Sequence, residues 1–322
     1  MKKWLPALLL AAAFITSLYV GATQIDDFWS ALINPGSNEI LWQIRFPRVT
    51  AAVIVGAALG VAGLLAQGAC NNAVAEPAIL GTAAGASFGA VLAISSGLVE
   101  VGTIGAIACG TIGALLTTSL TFKLAAIRGA LSSFALIIVG IAVSAIFTSF
   151  VGIASAMVSR ADARSISFWS FGLALVTPDN LIGIAVTTVI GIAIAGTIAP
   201  ALDRLSLGDA TAFHLGVNVA RIRLVALIAL SILAGGAVST VGSIAFIGLA
   251  APHIARFIFG PSHRTLVMHS AIIGGLIVVV ADTLSRTIAQ PNELPIGLAT
   301  ALLGAPVLIA LVAFKNNVWR TQ

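Results

Sequence analysis

Long apolar runs dominate the pattern of this chain, and short polar stretches separate them. Each run holds about 20 mostly apolar residues, the length of α-helix that crosses a bilayer core of about 30 Å. Because a helix satisfies its own backbone hydrogen bonds, these runs are predicted to be membrane-spanning helices. The pattern predicts ten of them, over residues 4–22, 49–69, 79–97, 102–122, 131–157, 180–200, 222–240, 244–259, 267–285 and 296–314.

The breaks between the runs contain Pro, Gly and Asn, as in NPGSNE and PNELP, and these residue types favour turns. The eighth run joins the seventh through STVGS, so these two runs could also form one interrupted element. No polar stretch is long enough to hold a soluble domain. Residues 1–322 are therefore expected to form a single all-α transmembrane domain.

Composition and charge agree with a membrane location. Hydrophobic residues make up 59% of the chain and charged residues only 8%, whereas soluble domains average about 45–50% apolar residues. With the N-terminus inside, eleven of the 16 Lys and Arg residues fall on the cytoplasmic side, as the positive-inside rule requires. Both termini are therefore expected in the cytoplasm. The basic balance is attributed to loops beside anionic lipid and not to nucleic-acid binding.

The first run can be read in two ways. Two lysines, an apolar stretch and then small residues are the features of a secretory signal peptide. The apolar stretch from Leu5 to Ala22 is long for such a signal, which favours a retained first helix. Cleavage would leave nine spans in the same orientation.

Glycines recur at helical spacing in two of the runs. Small residues on one side of a helix let backbones approach closely where no hydrophobic effect drives association. Tight helix packing is therefore predicted at Gly56, Gly60 and Gly63 in the second span, and at Gly81, Gly85 and Gly89 in the third. The two cysteines, Cys70 and Cys109, lack a metal-type spacing and are interpreted as packing residues.

No motif for enzyme chemistry is present. The chain lacks a P-loop, a His-Glu-x-x-His zinc pair and a Gly-x-Ser-x-Gly elbow. Its four histidines have no carboxylate partner at useful spacing, so they are interpreted as structural, and no metal or cofactor is expected. We predict that the chain is not an enzyme, and that any energy from ATP comes from another subunit.

Only one acidic residue, Asp282, lies well inside a predicted span, and Arg286 follows it four residues later on the same helix face. A pair at this spacing can neutralise itself near the outer surface. Ion-coupled transporters usually carry more buried carboxylates or histidines. An ion-coupled secondary transporter is therefore the alternative function and not the leading one.

Five blocks along the chain, in this order, resemble the permease family of type II ABC importers. These are WQIRFPRVTAAVIVGAALGVAGLLAQG (42–68), VAEPAILGTAAGASFGA (74–90), SLGDATAFHLGVNVARIR (206–223), GSIAFIGLAAPHIARFIFGPSHR (242–264) and ELPIGLATALLGAPVLIALV (293–312). Members of that family are the membrane subunits of importers for ferric siderophores, haem and cobalamin. The blocks span nearly the whole chain.

The resemblance implies a ten-helix subunit in the inner membrane of a bacterium. It implies a second permease subunit as partner, identical or related, two cytoplasmic ATPase subunits, and an extracytoplasmic substrate-binding protein. The expected function is translocation of an iron chelate, with ferric siderophore first and haem or cobalamin as alternatives.

The resemblance also explains the polar segment 202–223, of which about residues 202–221 would be the coupling loop that docks in a groove of the ATPase. Asp209 is expected to cap a short helix over ATAFHL, and Gly216 to end it in a left-handed conformation. Apolar contacts would come from Leu207, Phe213 and Leu215, with Asp209 and the arginines at the rim. An interfacial helix on lipid headgroups is the alternative. The coupling residues are Leu207, Gly208, Asp209, Phe213, Leu215 and Gly216.

On the outer side, Arg45 and Arg48 begin the second span and Arg286 ends the ninth. The resemblance implies that these three arginines form an exposed patch that meets acidic residues of the binding protein, because guanidinium groups grip carboxylates with two donors. Headgroup anchoring is the alternative. Arg160 and Arg164 lie in another outer loop and match no family contact.

The cytoplasmic loop after the second span departs from the family. The family pattern there is Asn-Pro-Leu-Ala-Asp/Glu-Pro, and this chain has NAVAEP at residues 72–77. The resemblance makes Asn72 and Val74 the inner-gate candidates. Loss of the proline frees the local backbone, which puts the closed geometry of the gate in doubt.

Overall fold

The computed structural model describes residues 4–21, 23–127, 133–157, 172–173, 176–288 and 293–315, and this part of the chain is helical with no β-strand. Arg160 and Arg164 lie outside the described residues. A π-helical turn, Ile40–Arg45, runs directly into the third helix. The α-helices are α1 (Leu5–Tyr19), α2 (Phe28–Ile33), α3 (Phe46–Cys70), α4 (Thr82–Ser95), α5 (Ile104–Ala126), α6 (Ser133–Met157), α7 (Pro178–Leu205), α8 (Asp209–His214), α9 (Val219–Val241), α10 (Ile247–Phe259), α11 (His263–Ser285) and α12 (Ile296–Lys315).

Ten of these helices coincide with the ten predicted spans. Six elements are long and apolar enough to cross a membrane, namely the π-turn with α3, α5, α6, α7, α9 and α11. Four shorter apolar helices, α1, α4, α10 and α12, complete the set. The prediction of a polytopic all-α membrane protein with about ten spans is therefore confirmed. The other two, α2 and α8, are six-residue helices in the connections.

Side-chain caps explain where several spans begin. Thr103 before α5, Thr177 before α7 and Asn218 before α9 each accept a hydrogen bond from the backbone N–H three residues later. These oxygens satisfy donors that have no partner inside the helix. Pro178 opens α7 at a position where its missing N–H is not needed. Cap residues in the connections therefore set these boundaries.

The seventh and eighth spans are two separate helices. Between α9 and α10 the backbone turns into the left-handed region at Gly242, with φ 76°, and at Phe246, with φ 68°. A residue with a side chain is strained in that region, so the break at Phe246 is held by its surroundings. The two runs thus form two helices joined by a break over residues 242–246.

α3 lies at the centre of the bundle and packs against α11, α9, α7 and α10. Its glycines make the close contacts that their spacing predicts. Gly56 faces Gly274 of α11, and Gly63 faces the backbone of Gly248 at the start of α10. A Cβ atom at either position would overlap backbone atoms of the neighbouring helix. The backbones can approach this closely only because side chains are absent.

α4 and α5 form a second close pair. Gly85 of α4 lies against Gly113 and Thr117 of α5, and Gly89 lies against the carbonyl of Cys109. Gly81 continues this face toward Thr121 of α5 and also lies against Val143 of α6. It precedes α4 with φ 86° and serves as the turn into the helix.

The candidate functional residues lie at the two opposite ends of the bundle. We call one the arginine end, where α1 and α11 end, the π-turn leads into α3, and Arg45, Arg48 and Arg286 lie. We call the other the α8 end, where α7 and α3 end, α9 and α11 begin, and α8 connects α7 to α9.

Candidate functional site

The short helix α8 lies at the α8 end, between two glycines with positive φ. Gly208, with φ 97°, precedes Asp209–His214, and Gly216, with φ 78°, follows it. The prediction of one or two helical turns ended by a left-handed Gly216 agrees with this geometry. Asp209 is the first residue of the helix and not its cap, because Gly208 occupies the cap position. The carboxylate is occupied elsewhere, in a bidentate pair with Arg223 at 2.9 and 3.0 Å.

Three large apolar side chains are exposed on α8 and immediately beside it. Leu207, Phe213 and Leu215 are 60%, 70% and 50% exposed, respectively, whereas Ala212 within the helix is fully buried. Three large apolar side chains on one short segment form a surface suited to contact with another body. Arg223, which was expected at the rim of this surface, is buried behind it, and that expectation is wrong.

The loop 71–81 between α3 and α4 also lies at the α8 end. The side-chain oxygen of Asn72 accepts a hydrogen bond from the backbone N–H of Val74 at 3.0 Å, which closes a tight local turn. The Val74 side chain is about half exposed. This internal bond supplies a restraint that the missing proline would otherwise give. The role of both residues in a gate stays a prediction.

Glu76 in the same loop is turned toward the bundle. It lines a small cavity together with Leu59 of α3, Ser243 and Ile244 from the α9–α10 connection, and Gly248. Its carboxyl group has no hydrogen-bond or ion-pair partner in the described part of the chain. Burial therefore raises the pKa of Glu76 above its ordinary value, since the charged form loses solvation without compensation.

The Glu76→Gln variant should be more stable than wild type at neutral pH. An acid whose pKa is raised by folding holds its proton in the folded state while the unfolded state has released it. Its destabilising effect is absent below the ordinary pKa near 4.5 and grows as pH rises through the window above that value. The difference in Tm between the variant and wild type should thus shrink as pH falls toward 4.5.

Thermal unfolding of the full chain in detergent across this pH range measures the effect. Glu39→Gln is the matched control, because Glu39 is exposed and its removal reports only the loss of one surface charge. Parallel Tm profiles for wild type and Glu76→Gln would contradict the buried-carboxyl interpretation.

At the arginine end, two arginine side chains pair with the buried carboxylate of Asp282. Arg48 pairs with it at 2.9 Å, and Arg286 pairs with it at 3.3 Å from the same helix. Arg48 also pairs with Glu293 at 3.0 Å. The predicted neutralising pair of Asp282 and Arg286 is therefore present, and Arg48 is a second cation of the same cluster. The sequence spacing missed Arg48 as a partner of Asp282 because 234 residues separate them.

Arg45 and Arg286 hold the end of α1. Arg45 donates to the carbonyls of Leu18 and Tyr19, each at 2.8 Å, and Arg286 donates to the carbonyl of Val20 at 3.0 Å. Two cations at the C-terminus of a helix satisfy its last carbonyls and interact favourably with the negative end of its dipole. These contacts tie the first span into the bundle through α3 and α11.

The expectation of three exposed arginines is wrong for two of them. Arg45 is 4% exposed and Arg286 is 7% exposed, because the end of α1 covers their guanidinium groups. The Arg48 side chain is 12% exposed, and its partner Glu293 is 47% exposed. The structure brings the three arginines together, as predicted, but only the Arg48–Glu293 pair reaches the surface. Their contact with a binding protein stays a prediction.

Sequence spacing also missed a carboxylate partner for a histidine. Asp203 near the end of α7 accepts from the backbone N–H of His263 at 2.6 Å and lies 2.8 Å from its ring Nδ1. Asp203 thereby holds the first residue of α11. The signal in the sequence is a Ser-His pair after a Gly-Pro turn, a pattern that marks a helix start but does not identify its partner. Within the described residues no three His, Cys, Asp or Glu side chains are grouped as a metal site would require.

Relatives of known type share most of this chain. The FecCD transport family matches residues 9–314. The iron(3+)-hydroxamate import system permease protein FhuB of Bacillus subtilis is 36% identical over 312 residues, which cover 94% of this chain and 80% of FhuB. The hemin transport system permease protein HmuU of Yersinia pestis is 34% identical over 312 residues, covering 95% and 93% of the two chains. A solved metal-chelate type ABC transporter in an inward-facing conformation matches with a TM-score of 0.84 and 28% identity, covering 97% of this chain and 98% of that one.

Proposed function

The chain belongs to the FecCD transport family, and we propose that it is the membrane permease subunit of an ATP-driven importer for an iron chelate. Ferric siderophore is the first candidate for the substrate, since FhuB is a permease of iron(3+)-hydroxamate import. Haem is the next, from HmuU, and cobalamin the third. The chain itself would carry out no chemical step.

The observation that carries this proposal is the group of exposed apolar side chains on and beside α8. A transporter powered within one chain has no use for a short turn with Leu207, Phe213 and Leu215 exposed. A subunit driven by a separate ATPase needs such a surface, because the motion of the ATPase must reach the membrane helices. The only carboxylate well inside a predicted span, Asp282, is already neutralised by Arg48 and Arg286, which disfavours it as a carrier of protons.

The complete importer would contain two permease subunits, two ATPases at the α8 end and a substrate-binding protein at the arginine end. In this arrangement the α8 end faces the cytoplasm of a bacterial cell, as the positive-inside count favours, and both termini are cytoplasmic. Asn72 and Val74 would close the inner end of the pathway between the two permeases. Leu207, Gly208, Asp209, Phe213, Leu215 and Gly216 would form the coupling turn.

ATP-dependent uptake by a reconstituted complex tests the function. Proteoliposomes would hold the full chain with its ATPase, with the binding protein outside and radiolabelled ferric hydroxamate as probe. Uptake should require hydrolysable ATP and the binding protein. Accumulation by the chain alone on a proton or sodium gradient would instead establish a secondary transporter. ATP-dependent uptake of haem in place of the hydroxamate would change the proposed substrate class, while the assignment as an ATP-driven importer would stand.

The docking role at the arginine end centres on Arg48. A carboxylate of the binding protein would compete with Glu293 for the outward side of the Arg48 guanidinium, which Glu293 now holds at 3.0 Å. Arg45 and Arg286 would support this patch from below, because they bond the last carbonyls of α1. The proposal therefore assigns all three arginines to docking, with Arg48 alone in direct reach.

The Glu293→Gln variant should bind the binding protein up to about 5-fold more tightly than wild type, because an exposed ion pair contributes roughly 0.2–1 kcal/mol. Removing the internal competitor leaves Arg48 free for the partner while its bond to Asp282 remains. The gain should shrink at high ionic strength, where exposed charges are screened. Affinity for the reconstituted permease at two salt concentrations measures it.

Glu100→Gln is the control for this measurement, because Glu100 is an exposed carboxylate at the same end of the bundle. A weaker affinity for Glu293→Gln would mean that Glu293 itself binds a cation of the partner. An unchanged affinity would remove Arg48 from the docking surface.

A further inference from the structure

Side chains of two other helices contact the last turn of α3 at the α8 end. Arg223 of α9 donates its Nε–H to the carbonyl of Ala69 at 2.9 Å. The ring of His263, at the start of α11, packs against Gly68, with its Nε2 3.0 Å from the position that a Cβ on Gly68 would take. Both side chains are buried. The final residues of α3 are thus held by a hydrogen bond from Arg223 and a packing contact with His263.

Each of these two side chains, Arg223 and His263, is oriented by a carboxylate of the predicted coupling loop. Asp209, the first residue of α8, forms the bidentate pair with Arg223. Asp203, six residues earlier at the end of α7, bonds the backbone and ring of His263, and its second oxygen accepts from Ser262 at 3.1 Å. A bidentate guanidinium–carboxylate pair fixes direction as well as distance. A displacement of α8 therefore changes the orientation of the Arg223 side chain directly.

The last turn of α3 leads straight into the candidate gate. α3 ends at Cys70, Asn71 follows with a left-handed φ of 43°, and Asn72 then bonds the N–H of Val74. Two residues separate the Ala69 carbonyl from Asn72. No flexible stretch intervenes, so a shift of this carbonyl must be passed to the loop.

We propose that Arg223 is a positioning residue that transmits the movement of α8 to the loop 71–77, while the Asp203–His263 pair packs against the same end of α3 as a fixed contact. The proposal rests on the proposed function, since it assumes that an ATPase moves α8. Arg223 binds neither substrate nor ATPase. It acts by holding Asp209 and the Ala69 carbonyl with one guanidinium group, which no lysine can do in the same geometry.

The Arg223→Lys variant tests the transmission in the reconstituted complex. It keeps the positive charge but cannot hold both carboxylate oxygens and the Ala69 carbonyl together. ATP hydrolysis should stay within about 2-fold of wild type, while uptake of radiolabelled ferric hydroxamate per ATP should fall about 10-fold. Arg264→Lys is the matched control, because Arg264 is exposed at the same end and should leave the ratio unchanged. A lower protein yield with a normal ratio of uptake to hydrolysis would reduce Arg223 to a structural role and overturn the proposal.

Hydrogen exchange of the purified full chain gives a readout that does not depend on transport. Arg223→Lys and Asp209→Asn should each raise the exchange rate of the amides in 71–75 at least 5-fold, whereas Arg264→Lys should not. Unchanged exchange in both variants would overturn the link even if wild-type uptake is driven by ATP. If wild-type uptake did not need ATP, the proposed function would fail, and the exchange result would still decide whether α8 and the loop are coupled.

Discussion

The Gly63→Ala variant should fold poorly and unfold at a lower temperature than wild type, although it adds a single methyl group. A Cβ at residue 63 would overlap the carbonyl group of Gly248 at the start of α10. Both groups belong to backbone, so neither can rotate away, and the two helices would have to separate. Forcing an extra carbon into a packed interior typically destabilises by about 1–3 kcal/mol, and sometimes more.

The Gly196→Ala variant provides the matched control. Gly196 lies in α7, and nothing approaches within 4 Å of the position of its Cβ. Alanine favours a helix over glycine by up to about 1 kcal/mol, so this variant should equal or exceed wild type in Tm. The fraction of monodisperse protein in detergent and the Tm of each variant measure the difference. A Gly63→Ala protein with the yield and Tm of wild type would contradict the packing of α3 on α10.

The second large effect is expected at the surface of α8. Phe213→Asp should reduce co-purification of the ATPase at least 10-fold and abolish uptake, while the yield and Tm of the permease stay at the wild-type level. Phe213 is 70% exposed in the chain alone, so the change leaves the bundle intact. In the complex the carboxylate would enter an apolar groove and lose its solvation without a partner. A loss of 1.4 kcal/mol already corresponds to a 10-fold weaker association.

Phe213→Leu separates the loss of an apolar contact from the burial of a charge. Leucine keeps most of the apolar surface, so ATPase association should remain within a few-fold of wild type. Normal ATPase association by Phe213→Asp would show that α8 is not the docking turn. A lower affinity of Phe213→Asp for anionic vesicles, with the ATPase still bound, would favour the interfacial helix instead.

The sequence by itself determined the spans and the outline of the coupling turn. A hydrophobic run of about 20 residues has few alternatives in a bilayer, because every backbone group must be bonded within its own helix. The ten predicted spans therefore coincide with helices in the structure, and the mid-chain turn 209–214 lies where the polar segment predicted it. Gly216 is left-handed as expected, because a local backbone requirement can be read from a single residue type.

Apart from the Asp282–Arg286 pair, whose spacing of four residues revealed it, only the tertiary structure decided which partners the charged residues have. Spacing along the chain placed Arg45 and Arg286 at the outer surface, but the end of α1 folds over both of them and takes their donors. Asp209 was predicted as a cap and Arg223 as a rim charge, whereas they bond to each other. These partners are 14 or more residues apart, so no helical or strand period relates them.

The physical reason is the high cost of an unpaired charge in an apolar bundle. Each buried guanidinium or carboxylate is stable only where its full set of partners converges, and that convergence depends on how the helices pack. Close contacts such as Gly63 with Gly248 set the separation of the helices and thereby choose the partners. The hydrophobic pattern specifies which segments enter the membrane, but packing alone assigns Arg223 to Ala69 and Arg48 to Asp282.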